Sequence, residues 1–194
     1  MEITSTQLKE LRDYTGISVM QCKKALEEAG GDMDKAKIIL QKKGGEIALK
    51  KSDRELGAGA IGSYVHSTHE VAALVYLACE TDFVAKNDEF VALAREIAMH
   101  VAAQNPLYIN RAEVSEEALQ KAKDVFKEEV KDKPVEMQEK ILVGKLDAFF
   151  KDRILLEQPF IKDQEKAVGD LLNTAIQKFG ENVVISAISR LSVK

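Results

Sequence analysis

The sequence has no tryptophan, three prolines, two cysteines and only 6% aromatic residues. Such scarcity excludes collagen-like and disulfide-scaffold chains. Cys22 and Cys79 have no paired spacing, and each lies in an apolar-rich run. They read as reduced thiols packed as small hydrophobes in a reducing compartment. No apolar run approaches the ~20 residues of a membrane-spanning helix. The opening residues lack the basic and apolar regions of a secretory signal and the Arg-rich character of a transit peptide. A cytoplasmic protein without a membrane partner is expected. Basic residues are not in excess either: 28 Lys and Arg face 32 Asp and Glu, a formal net charge of −4. General binding to a phosphate backbone needs clustered Lys and Arg, so direct nucleic-acid contact is not expected. What is present is a normal soluble balance, with 45% hydrophobic and 31% charged residues in 194 positions. That length suits one mid-sized domain or two small ones.

Charge divides unevenly along the chain. Residues 1–54 carry 11 basic and 9 acidic side chains, whereas residues 55–194 carry 17 and 23. The first part reads as three short helices. Thr4 and Gln7 have capping-box spacing, and Gly16 stops the first helix. Ser18 and Gln21 repeat that spacing, and Gly30-Gly31 ends the second. Asp32 caps a third, expected to stop at Gly44-Gly45. Residues 1–45 therefore form a small bundle, and 46–60 a helical, then glycine-rich linker. Strand patterns follow. Ile61 to His66 is one candidate, and Val71 to Cys79 is apolar enough for a strand buried on both faces. A helix from about Asn87 to Ala103 places Phe90, Leu93, Ala94, Ile97 and Val101 on one face. Residues 61–112 thus begin a core. Residues 113–153 read as two helices, Ser115 to Asp132 and Val135 to Phe150, turning at Pro134. Their narrow apolar stripes (Leu119, Ala122, Val125, Phe126; Ile141, Leu142, Leu146, Phe149) suit a protruding hairpin. Strand (Ile154–Leu156), helix (Lys166–Phe179) and strand (Val183–Val193) patterns in 154–194 complete the core. The fold class is α+β.

Several signals bear on chemistry. Gly57-Ala58-Gly59-Ala60-Ile61-Gly62 is a literal GxGxxG, with Glu80 about 20 residues further on, as in the dinucleotide fingerprint. That fingerprint needs a strand before it and a helix after it; here the order is inverted, and a flexible hinge is expected instead. His66, His69 and His100 show no ligand spacing, HExxH is absent, and no GxSxG elbow occurs. No metal, cofactor or enzyme active site is expected. Cys79-Glu80-Thr81-Asp82-Phe83-Val84-Ala85-Lys86-Asn87 falls where a buried strand ends and a helix begins. An acid beside an aromatic in such a loop can be presented to a partner. From spacing alone, however, Asp82 caps a turn and Phe83 drops into the core. Met20, Lys23 and Lys24, after the Ser18 cap, suit either an adaptable contact face or ordinary helix filling.

Leu11-Arg12-Asp13-Tyr14-Thr15-Gly16-Ile17-Ser18-Val19-Met20-Gln21-Cys22-Lys23-Lys24-Ala25-Leu26 resembles the N-terminal signature of bacterial elongation factor Ts. Cys79 to Lys86 resembles that family's second signature. Ile97 to Ala103, Leu156-Glu157-Gln158-Pro159-Phe160 and Gly180-Glu181-Asn182 are similar to it too, in the same order over nearly the whole chain. The resemblance implies a guanine nucleotide exchange factor for the GTPase elongation factor Tu. It implies a ubiquitin-associated-like first bundle that grips the GTPase, with Met20 and Lys23 on the docking face. It also implies a loop in which Asp82 and Phe83 intrude on the partner's Mg²⁺ and phosphate site while Thr81 and Val84 hold its shape. Longer members carry two related core halves. A chain of this length has room for one, so a homodimer paired through terminal strands is expected; no cysteine lies beyond Cys79 to bridge them. The rival readings are a non-catalytic adaptor, which binds without releasing nucleotide, and an oxidoreductase built on Gly57–Gly62.

Overall fold

The computed structural model describes residues 3–131 and 134–193. The first three helices are α1 (Ser5–Thr15), α2 (Val19–Glu28) and α3 (Met33–Lys51). Their starts follow the capping chemistry. The Gln7 N–H donates to Thr4 Oγ1 at 3.2 Å while the Thr4 N–H donates to Gln7 Oε1 at 3.1 Å. The Asp32 carboxylate accepts the N–H groups of Asp34 and Lys35. Leu11, Cys22, Ala25, Leu26, Ala36 and Leu40 fill a small separate core.

The third helix does not stop at Gly44-Gly45. It runs through both glycines to Lys51, and the reason is tertiary. A Cβ at Gly44 would lie 2.4 Å from the side-chain nitrogen of Gln177 and 3.2 Å from Cβ of Asn173. Gln177 in turn donates to the Leu40 carbonyl at 2.7 Å. The glycine that weakens a lone helix here lets a second helix approach, and packing overrides propensity.

The core follows: β1 (Ala58–Val65), β2 (Val71–Cys79), the single turn α4 (Asp82–Ala85) and α5 (Asp88–Gln104). The arm is α6 (Glu116–Val130) and α7 (Val135–Lys151). Last come β3 (Pro159–Phe160), β4 (Asp163–Ala167), α8 (Val168–Phe179) and β5 (Val183–Ser192). The class is α+β, with an antiparallel sheet ordered β1-β2-β5 and a small β3-β4 hairpin. The strand expected at Ile154–Leu156 is instead a bridge from Ile154 to Tyr108 and a tight turn at Leu155–Glu157. Asp132, expected in the arm's first helix, lies outside the described residues.

α5 and α8 cover one face of the three-stranded sheet, burying Val75, Leu77, Phe90, Ile97, Val168 and Ile185 among others. The other face is open. β2 is buried on both sides only at its end, Leu77 to Cys79; before that Leu74 and Tyr76 are exposed, as are Ile61 and Leu191 on its neighbours. The glycine motif forms no hinge. Gly59 and Gly62 lie inside β1, and a Cβ at Gly62 would meet the α5 backbone at Ala94. In the arm, Phe126 and Phe149 meet edge to face at 5.5 Å, and Leu119 and Val125 point outward.

A buried histidine ties α5 to the base of the arm. His100 is fully enclosed. The Ile161 N–H donates to its Nδ1 at 3.3 Å, which leaves the ring proton on Nε2, facing Gln158 Oε1 at 2.9 Å. Gln158 passes the chain on to the Asp152 carbonyl at 2.7 Å. Burial pushes the His100 pKa down. The unfolded chain therefore takes up this proton more readily than the folded one. The stability that depends on neutral His100 is fully present above about pH 6.5 and is lost as pH falls through and below it. Melting curves between about pH 7 and pH 5 are expected to show a falling midpoint. His100→Asn, which cannot charge, is expected to flatten that slope.

Candidate functional site

The corner after β2 is built by residues of opposite preference. Cys79 is buried, and its thiol donates to the Thr81 carbonyl at 3.2 Å. Burial, then the nearby Glu181 charge, pushes that thiol's pKa up, so it stays a neutral packing group rather than a nucleophile. Val84 and Ala85 turn inward and are buried. Asn87 starts α5, accepting the Glu89 N–H at 2.9 Å. Anchored on both sides, the intervening turn has Asp82 and Phe83 on its outer surface. Phe83 is 83% exposed. The expectation from spacing, a core Phe83, is therefore wrong. Val84 and Ala85 serve as the turn's inward anchors, and Phe83, about 200° round the helical turn from Ala85, is thereby faced outward.

The electrostatics are local. Asp82 Oδ2 pairs with Lys86 Nζ at 2.7 Å, one helical turn on. That hydrogen bond holds the Asp82 carboxyl below the usual carboxylate range. Both groups are solvated, so the pair adds little stability and either partner is available to a contact from outside. Glu80 is engaged differently. Its carboxylate accepts the Asn182 N–H at 2.6 Å and the Arg54 guanidinium at 3.2 Å. The Asn182 N–H, before Arg54, lowers its pKa. Glu80 is thus a structural acceptor, not the ribose ligand that its distance from Gly57–Gly62 suggested.

Thr81, Asp82, Phe83 and Val84 form one continuous turn. Met20 and Lys23 stand apart from it, at the start of α2. Met20 is 69% exposed, and Lys23 is solvated and pairs at 3.9 Å with Glu27 of its own helix. Sequence reasoning gave no role to the residues that hold the turn, chiefly Glu181, which the family resemblance covered without assigning it a contact, and Arg54. Glu181 lies 100 residues from Thr81, and no local pattern announces such a contact. Among the described residues no group of three His, Cys, Asp or Glu side chains is placed to hold a metal ion. No helix among them is long and apolar enough to cross a membrane.

Comparison with known proteins covers the whole of this architecture. A sequence model of the family described as Elongation factor TS matches residues 10–193. The elongation factor Ts of Thermodesulfovibrio yellowstonii is 47% identical over 194 residues, spanning 100% of this chain and 97% of the relative. That of Thermosipho melanesiensis is 48% identical over 193 residues, with 98% of each chain covered. That of Geotalea uraniireducens is 45% identical over 195 residues, covering 90% of its length. With a family model matched from α1 to the end of β5 and relatives of this identity aligned end to end, the chain belongs to the elongation factor Ts family.

Proposed function

We propose that this chain is a guanine nucleotide exchange factor acting on elongation factor Tu in the cytoplasm, with Asp82 and Phe83 as the intruding pair. The observation that carries the reading is an aromatic ring left in solvent on a turn anchored from both sides. An exposed phenylalanine has no role in the chain's own core, and aromatic side chains that fill a partner's pocket dominate many interfaces.

The chemistry needed is small. GDP is held by a phosphate-binding loop and a Mg²⁺ ion that bridges phosphate and protein. Mg²⁺ requires near-ideal octahedral geometry, so a slight shift of its surroundings weakens it. A ring wedged between partner side chains, with the Asp82 carboxylate beside it, supplies such a shift. Met20 and Lys23 on α2 provide a second contact, whose binding free energy offsets the distortion; Thr81 and Val84 keep the turn in shape. By linkage, a factor that weakens GDP is itself weakened by nucleotide to the same degree. Incoming GTP then expels it. No bond is made or broken by this chain, and no cofactor is needed. Catalytic amounts should accelerate release of a fluorescent GDP analogue from elongation factor Tu. Binding without acceleration would favour an adaptor.

A homodimer belongs to the same proposal. The open face of the β1-β2-β5 sheet exposes Ile61, Leu74, Tyr76 and Leu191, and β5 is an edge strand. A second copy would cover both an apolar face and an unpaired edge, which isolated chains rarely leave free. Analytical ultracentrifugation at micromolar concentration should give twice the chain mass, and Leu74→Asp should return it to one. A wild-type chain sedimenting as a monomer would end that reading.

A further inference from the structure

We propose that Glu181 is the positioning residue of the Thr81–Val84 turn, acting through the backbone that precedes it. α8 ends at Gly180, whose left-handed backbone (φ 73°) swings the chain toward the end of β2. There Glu181 Oε2 accepts the N–H groups of Glu80 and Thr81 at 3.1 and 3.0 Å, while Oε1 accepts the Thr81 hydroxyl at 2.5 Å. One carboxylate therefore takes every donor that these two residues offer. Thr81 occupies the N-cap position of α4, yet its side chain caps nothing there, because the hydroxyl is directed to Glu181. The arrangement is reciprocal: the Glu80 carboxylate accepts the Asn182 N–H at 2.6 Å. Neither segment can shift without freeing amides of the other.

A helical turn of four residues cannot hold itself, since nucleation is unfavourable without outside partners. Charge-assisted bonds, roughly twice as strong as neutral ones, supply those partners here. They fix the direction in which the next two residues, Asp82 and Phe83, leave the surface. Nothing in Glu181 need touch the GTPase; it acts by where it places Phe83. This inference rests on the exchange reading above.

The test uses the full chain as Glu181→Ala, Glu181→Gln and Thr81→Val, with elongation factor Tu loaded with a fluorescent GDP analogue. Glu181→Ala should lower the maximal release rate about tenfold while the half-saturating concentration changes less than about twofold. Glu181→Gln keeps one carbonyl acceptor and should fall between. In the free chain, hydrogen exchange at the Thr81 amide should quicken in Glu181→Ala, with the melting midpoint little changed. If Glu181→Ala does not fold, Glu181→Gln and Thr81→Val carry the same comparison. An unchanged Thr81 amide, or a quickened amide with an undiminished maximal rate, overturns the proposal. A wild-type chain that releases no GDP overturns the exchange reading and this role with it, and is told apart by failing before any substitution.

Discussion

Gly62→Ala is expected to lower stability by about 3 kcal/mol, the upper end of the usual cost of overpacking a core. The added Cβ would lie 2.1 Å from the carbonyl carbon and oxygen of Ala94 and 2.6 Å from the Arg95 nitrogen. These are backbone atoms of α5, not the end of a flexible side chain. β1 must bend or α5 must lift from the sheet, and Phe90, Ile97 and Val101, all fully buried, lose contacts if it lifts. For a chain of this size the midpoint should fall by about 6–12 °C. Gly144→Ala is the control. It lies in α7 with nothing within 4 Å of the added carbon, so it should hold or raise the midpoint by relieving a helix of glycine. Circular-dichroism melts of the two variants read the difference directly. Equal midpoints would mean that β1 and α5 are not in backbone contact at Gly62.

The same glycines show how far the sequence could be read. β2 was legible to the residue because the run from Val71 to Cys79 is almost wholly apolar and follows a polar turn. α5 was legible because its apolar spacing is helical from about Asn87, the residue that the structure makes its cap. GxGxxG was legible as a pattern but not as a purpose. Gly62 makes room for a helix more than thirty residues away and Gly59 for the neighbouring strand β2, and such contacts leave no local mark. The run through Gly44 fails for the same reason, since Gln177 and Asn173 decide it. At the site, spacing put Phe83 in the core, because inward and outward positions cannot be separated in a single helical turn. The family resemblance made it one of a pair that intrudes on a partner and left its exposure in the free chain open; the structure has the ring in solvent. Neither pointed to the role of Glu181.

Phe83→Ala is expected to leave the fold intact and to remove most of the exchange activity. The ring is solvated in the free chain, so its loss opens no cavity, and the melting midpoint should stay within about 1–2 °C, as for surface substitutions. A central aromatic anchor is typically worth about 2 kcal/mol or more to the contact it makes, roughly a thirty-fold change. If that contact forms only as the Mg²⁺ site is displaced, the loss falls on the maximal rate of GDP release and not on binding. Asp82→Ala should act in the same direction more weakly. Its carboxylate is solvated and already shared with Lys86.

The most direct test of the central claim is therefore stopped-flow release of a fluorescent GDP analogue from elongation factor Tu, at saturating wild-type chain and at saturating Phe83→Ala. The account predicts rapid release with the wild type, a maximal rate roughly thirty-fold lower in the variant, and similar half-saturating concentrations. Equal maximal rates would contradict it, because the exposed ring on the Thr81–Val84 turn would then have no part in exchange.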